Sequence, residues 1–146
     1  MLLEIKHIPP EDTYQLRHQI LRPNQTIEAC KYPADHDQYA FHIGVYSVGD
    51  LISIASLYKE KHPDIKGEHH YRLRGMATHP EYRLQKAGTH LIHKAESILR
   101  ERQADTLWCN ARTTVSDYYK KLGFHEVGNV FDIHPIGPHI IMAKAI

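Results

Sequence analysis

Residues 71–99 constrain this chain more than any other stretch. Tyr71 and Leu73 alternate with Arg72 and Arg74, which is a strand period. Farther on, Leu91, Ile92, Ala95, Ile98 and Leu99 recur at helical spacing, with His90, Lys94, Ser97 and Arg100 on the other faces. Between strand and helix lies a basic, glycine-containing turn, Arg83-Leu84-Gln85-Lys86-Ala87-Gly88-Thr89. The first N–H groups of a helix have no partner inside it, and the helix dipole is positive there. A pyrophosphate fits such a position. An ordinary strand-to-helix connection has the same features, so this stretch alone leaves both readings open.

Length and composition narrow the class. The chain has 146 residues, enough for one domain with a real core, so residues 1–146 are read as a single domain. Apolar residues make up 42%, which suits a globular protein. A formal net charge of +1 argues against nucleic acid as a partner. Cys30 and Cys109 are far apart and fit no metal spacing. Cys109 sits in an apolar strand, as a core thiol would. Met1-Leu2-Leu3-Glu4-Ile5-Lys6 meets charge at once and does not read as a signal peptide. No apolar run approaches the ~18 residues of a membrane span. The expectation is a cytoplasmic protein with no membrane partner. The thirteen histidines include His90 and His93 at i,i+3, but no carboxylate or cysteine joins them in a zinc-like pattern, so no metal is expected.

Taken in order, Leu3, Ile5 and Ile8 predict a first strand ended by Pro9-Pro10. Pro10-Glu11-Asp12 opens a helix that Arg22-Pro23 stops. Asn24 to Asp37 has weak periodicity and predicts a short helix with irregular flanks. Phe41–Tyr46 and Leu51–Leu57 predict a hairpin turned at Gly49-Asp50. The central helix is predicted over Ala87–Arg102, a buried strand over Thr106–Ala111, and a helix over Val115–Leu122. Two closing strands follow, over Val127–Ile133 and His139–Ala143. Antiparallel runs broken by helices predict an α/β layered domain, α+β in arrangement, with a mixed sheet.

A second stretch makes the first specific. Tyr118-Tyr119-Lys120-Lys121-Leu122-Gly123-Phe124 ends a helix at a glycine. Together the two stretches resemble the GNAT superfamily of acetyl-CoA-dependent N-acetyltransferases. Arg83 to Gly88 lie over the family's Arg/Gln-x-x-Gly-x-Gly/Ala turn, with Lys86 where the first glycine is expected. Tyr119 to Phe124 match its Tyr-x-Lys-Leu-Gly-Phe. A closer likeness is carried by Leu21-Arg22-Pro23-Asn24-Gln25, Leu73-Arg74-Gly75-Met76-Ala77-Thr78, Leu107-Trp108-Cys109-Asn110-Ala111-Arg112-Thr113 and Gly137-Pro138-His139-Ile140. These segments look like the bacillary glyphosate N-acetyltransferase group.

The resemblance implies the GNAT fold: a mostly antiparallel central sheet, flanked by helices, whose strands 4 and 5 splay to admit acetyl-CoA. It implies that Met76, Ala77, Thr78, the turn from Arg83 through Leu84, Gln85, Lys86, Ala87 and Gly88 to Thr89, and Asn110 hold acetyl-CoA as cosubstrate. His139 is implied as general base and Tyr119 as general acid, chemistry that an imidazole and a phenol can perform. Arg22, Arg74 and Arg112 are implied to bind the acid groups of a small anionic amine, which guanidiniums do by bidentate hydrogen bonding. Arg72 shares the strand parity of Arg74, so either can face the pocket. Three rivals stay open: acetylation of a polyamine or protein amine, a non-catalytic acyl-CoA-binding module, and a metal-binding protein using the histidines.

Overall fold

The computed structural model describes residues 2–146, with the side chains of Leu84 and Gln85 outside the described set. Seven strands form one sheet in the order β1-β2-β3-β4-β5-β7-β6. They are β1 (Leu3–Ile8), β2 (Phe41–Ser47), β3 (Asp50–Lys59), β4 (His70–Thr78), β5 (Thr106–Arg112), β6 (His125–Ile133) and β7 (Gly137–Ala145). β4 and β5 run parallel, paired from His70↔Thr106 to Arg72↔Trp108. The β1–β2, β2–β3, β5–β7 and β6–β7 ladders are antiparallel. The helices are α1 (Tyr14–Leu16), α2 (Ala87–Glu101) and α3 (Ser116–Lys121), joined by 3-10 and π turns. The chain packs as two compact units. One is built from residues up to Tyr58 with Leu73–Ser97, the other from Lys59–Arg72 with Ile98–Ile146.

In the first unit, Pro10 begins a 3-10 turn (Pro10–Thr13) that leads through α1 into a π turn (Arg17–Leu21). Proline at the first helical position loses no hydrogen bond, and Glu11 and Asp12 complement the helix start. Arg22 ends the segment at φ −137 and ψ 51, pushed out of the helical region by Pro23. The expected helix between Asn24 and Asp37 is two separate 3-10 turns, Ile27–Cys30 and Pro33–His36. Ile8, Leu16, Ile54 and Ala77 form a core cluster, flanked by Ile20, Leu21, Tyr46 and Leu51. The β2–β3 hairpin turns at Val48 (φ 50) and Gly49 (φ 84), one residue earlier than expected, because Asp50 already pairs with Ser47. Two positive φ angles are what a two-residue hairpin turn needs to match strand twist.

In α2 the expected face is the buried one. Leu91, Ile92, Ala95, Ile98 and Leu99 are all buried, while His90, Lys94, Ser97 and Arg100 are exposed. Each fully buried Leu or Ile contributes about 1.5–3 kcal/mol, so this one stripe is enough to fix the helix.

In the second unit, β5 lies beside β7, and β7 beside β6. The Trp108 indole N–H donates to the Glu60 carbonyl at 2.8 Å. The Asp105 carboxylate accepts the Glu68 N–H at 2.8 Å and the His69 N–H at 3.1 Å, tying the loop before β4 to the strand it will pair with. The β6–β7 register shifts between Val127 and Phe131, where Gly128 has φ 75. That bulge resets which residues face His139.

Candidate active site

The end of β4 is fastened by side chains of β3. The Ser53 hydroxyl donates to the Ala77 carbonyl at 3.1 Å and lies 2.7 Å from the Thr78 hydroxyl. The His79 N–H donates to the Ile52 carbonyl at 2.7 Å. His79 then caps the following 3-10 turn (Pro80–Gln85), its Nδ1 accepting the Glu81 N–H at 3.2 Å. At the end of that turn Lys86 adopts φ 59 and ψ 29, the left-handed conformation. It therefore takes the backbone shape of the glycine it replaces. A side chain in that region costs roughly 1–2 kcal/mol. Helix α2 starts at the next residue, and the His90 N–H donates to the Lys86 carbonyl at 3.2 Å. The amides of Ala87, Gly88 and Thr89, in its first turn, have no acceptor within the helix. Exposed Arg83 and Lys86 flank them. This donor set suits a diphosphate: several backbone N–H groups, a positive helix end and two cations. Leu84 and Gln85 contribute backbone to the turn, and their side chains lie outside the described residues.

The same unit holds a buried ionic network that the sequence did not reveal. Arg17 is fully buried. Its guanidinium grips the Asp35 carboxylate with two bonds, Nη1 to Oδ2 at 2.7 Å and Nη2 to Oδ1 at 3.0 Å. It also donates to the Cys30 carbonyl at 2.8 Å and to Ser56 Oγ at 2.8 Å. Asp35 further accepts the Tyr58 hydroxyl at 2.5 Å and the Tyr32 N–H at 3.0 Å. Burial alone would raise the Asp35 pKa, but the bonds from Arg17 and Tyr58 outweigh it and hold the carboxyl below its ordinary value. Burial, with Asp35 beside it, pushes the Tyr58 phenol up and keeps it protonated. His42 completes the network: Nε2–H donates to the Asp35 carbonyl at 3.0 Å, and Nδ1 accepts from Ser56 Oγ at 2.7 Å. A carbonyl can only accept, so this fixes the tautomer.

Arg22 and Arg74 come together here, at Tyr32. The Arg74 guanidinium lies 4.1 Å from the centre of the Tyr32 ring, and that of Arg22 lies 5.4 Å away. Arg22 Nε also donates to the Tyr32 hydroxyl at 3.4 Å. Arg72 is engaged elsewhere, with Glu60 at 3.4 Å and over the Trp108 ring at 5.2 Å. Arg74 is therefore the member of the pair that stands with Arg22.

Arg112, Asn110, Tyr119 and His139 belong to the second unit. Arg112 ends β5, directly opposite His139 on β7, and Phe131 of β6 is opposite His139 on its other side. Residues paired this way have Cβ atoms about 4.5–5.5 Å apart and share one face of the sheet. Asn110, half-buried, pairs with Ile141 in the same ladder. His139 is only 4% exposed and lies inside β7, which begins two residues before the strand expected from His139. Its Nδ1–H donates to the Gly137 carbonyl at 2.8 Å, which leaves the lone pair on Nε2.

Tyr119 owes its position to the way α3 ends. The Gly123 N–H donates to the Lys120 carbonyl at 3.0 Å, and the Phe124 N–H to the Tyr119 carbonyl at 3.1 Å. Gly123 has φ +97. These are the two bonds of a Schellman cap, and the Tyr119 and Phe124 rings supply its apolar contact at 5.4 Å. The Tyr-x-Lys-Leu-Gly-Phe pattern is thus a helix terminator that also fixes the phenol. Burial pushes the Tyr119 phenol up, with Cys109 and Tyr118 adding to the rise, so it is held in the protonated, donating form. Cys109 is a buried free thiol, pushed up to about 12 by burial. Among the described residues no group of three or more His, Cys, Asp or Glu could hold a metal ion, and no helix is long and apolar enough to cross a membrane. His42, His70 and His139 are the buried histidines among those described.

Comparisons with known proteins identify the family and the fold. The model of the acetyltransferase (GNAT) family matches residues 3–124. The uncharacterized N-acetyltransferase YitI of Bacillus subtilis (strain 168) is 52% identical over 145 residues, covering 99% of this chain and 97% of the relative. The crystal structure of an N-acetyltransferase candidate from Lactobacillus plantarum superposes with a TM-score of 0.81 at 20% identity, covering 99% of both chains. An aminoglycoside 6′-N-acetyltransferase solved with coenzyme A gives 0.70 at 16% identity, covering 97% of this chain and 96% of that one. At such identities the two structures speak for the fold. With its family model, its relative and its parallel β4–β5 sheet, this chain belongs to the acetyltransferase (GNAT) family, whose donor is acetyl-CoA.

Proposed function

We propose that this N-acetyltransferase acts on a small anionic amine, an amino acid or an aminophosphonate such as glyphosate, as a single domain working in the cytoplasm. One observation carries the reading. Arg22 and Arg74 gather at the Tyr32 ring, while Asp35, the carboxylate of that network, is already taken by Arg17 and Tyr58. Two guanidiniums set beside a neutralised pair suit an acceptor that brings its own negative charge. Arg112 is a third. The likeness to the bacillary glyphosate N-acetyltransferase group assigns these three arginines to acid groups. A polyamine is disfavoured, since like charges would be buried together.

In this reading Met76–Thr78, Asn110 and the turn from Arg83 to Thr89 hold the coenzyme. Acetyl-CoA, when bound, supplies a thioester carbonyl and a thiolate leaving group. His139 Nε2 takes a proton from the acceptor ammonium, while Gly137 keeps the imidazole in the required tautomer. Tyr119, held protonated, donates to the departing sulfur. Transfer is direct, from donor to amine.

The test is an acceptor screen that follows release of free coenzyme A thiol. Acidic amines, glyphosate among them, should be acetylated with higher kcat/KM than their neutral amides, spermidine or a lysine peptide. Preference for spermidine or the peptide removes the anionic reading and leaves the family activity intact.

A further inference from the structure

We infer that Tyr32 is a positioning residue for acceptor selection: locked by the Arg17–Asp35 pair, its ring sets where Arg22 and Arg74 present their guanidiniums. This rests on the reading of those two arginines as acceptor-binding. Tyr32 is fixed at both ends. Its N–H donates to Asp35 Oδ2 at 3.0 Å, and the Arg17 guanidinium lies 4.1 Å from the centre of its ring. The ring itself is buried, at 7% exposure. The β4 backbone also presses on this pair. At Gly75, φ is +60, and a Cβ there would come 3.2 Å from Arg17 Nε and 3.5 Å from Tyr32 Cε2. Any side chain at position 75 would strain the backbone and crowd Arg17 Nε, while meeting the Tyr32 ring at ordinary contact distance.

Three cations thus meet one ring, from three separate segments of the chain. Arg17 comes from the π turn and is neutralised by Asp35. Arg74 comes from β4, beside Gly75, at 4.1 Å. Arg22 comes from the end of the helical segment and bonds the phenol oxygen at 3.4 Å. Among the described residues Arg22 meets no carboxylate; its other hydrogen bond goes to Gln25 Oε1 at 3.3 Å. A ring face attracts cations through its quadrupole, and a planar guanidinium stacked on it loses much of its freedom before any ligand arrives. The order of support runs from Asp35 to Arg17, from Arg17 to Tyr32, and from Tyr32 to the guanidiniums of Arg22 and Arg74. Tyr32 touches neither reacting atom in this scheme and acts through its neighbours.

Steady-state kinetics with glyphosate as probe test the idea, on Tyr32→Leu, Tyr32→Phe, Arg17→Lys, Arg22→Ala and Arg74→Ala in the full chain. Tyr32→Leu removes the platform and should raise the KM for glyphosate about tenfold, while the KM for acetyl-CoA stays within about twofold. Tyr32→Phe keeps the ring and should return the glyphosate KM to within about threefold of wild type. Arg17→Lys keeps a charge for Asp35 but removes the flat group from the ring, and should raise the glyphosate KM severalfold; it carries the test if Tyr32→Leu does not fold. A glyphosate KM within twofold of wild type in Tyr32→Leu or Arg17→Lys, while Arg22→Ala or Arg74→Ala raises it, overturns the positioning role and spares the acceptor reading. If Arg22→Ala and Arg74→Ala also leave it unchanged, the acceptor reading itself falls.

Discussion

Replacing Asp35 with Asn should be one of the most damaging single-atom changes in this chain. The carboxylate accepts four hydrogen bonds, from Arg17 Nη1 and Nη2, the Tyr58 hydroxyl and the Tyr32 N–H. An amide offers one oxygen, and its NH2 group would face donors on the other side. Arg17, fully buried, would lose its counter-charge. Removing one partner of such a pair costs about 3–5 kcal/mol. In a chain of this size each kcal/mol moves the melting temperature by about 2–4 °C, so a fall of roughly 6–20 °C is expected. Circular dichroism through a guanidinium titration and a thermal ramp would measure both. The double variant Arg17→Met with Asp35→Leu should be more stable than Asp35→Asn alone, because it leaves no charge unpaired. A midpoint shift worth less than about 1 kcal/mol in Asp35→Asn would refute the assignment of this pair as a buried, mutually dependent unit.

Three further outcomes are expected. His139→Ala should cut turnover about a hundredfold with the KM for acetyl-CoA little changed, and Tyr119→Phe should also slow turnover; near wild-type turnover in His139→Ala would remove it from the mechanism. Lys86→Gly should be more stable than Lys86→Ala by about 1 kcal/mol, since only glycine adopts φ 59 without cost, and both should weaken coenzyme binding equally; equal stabilities would argue against the left-handed turn. Burial lowers the His42 pKa, so the unfolded chain takes up that proton first. Stability should decline as pH drops below about 6.5 and decline less in His42→Gln, which a pH series of melting temperatures would check.

The parts of this molecule that sequence makes legible are those written in contiguous residues. The α2 stripe, the Lys86 turn and the Schellman cap at Gly123 each lie within a single short window, and each takes the form its local pattern dictates. The Arg17 network does not. Arg17 stands between Leu16 and His18 in a segment whose apolar stripe reads normally without it, and its partner Asp35 is 18 residues away in an aperiodic stretch. Nothing in spacing marks an arginine as buried; only its partners do. One signal was available: a glycine inside a strand often marks close approach of another group. Gly75 is such a glycine, and Arg17 with Tyr32 is what approaches it. Strand parity could not separate Arg72 from Arg74 either. Their neighbours separate them, Glu60 and Trp108 for one and Tyr32 for the other.

The proposed direction of proton flow follows from how differently the two groups are kept. Tyr119 sits in a Schellman cap whose burial opposes the phenolate, so at neutral pH it has a proton to give and little tendency to accept one. His139 has its Nδ1 proton committed to the Gly137 carbonyl, so the neutral ring presents a lone pair at Nε2. The reverse assignment, with Tyr119 as base, needs a buried phenolate, which the burial of that ring opposes. The proposed proton donor thus lies on a helix end that the sequence spells out locally, and the proposed acceptor on a strand position whose neighbours become visible only once β5, β7 and β6 are paired.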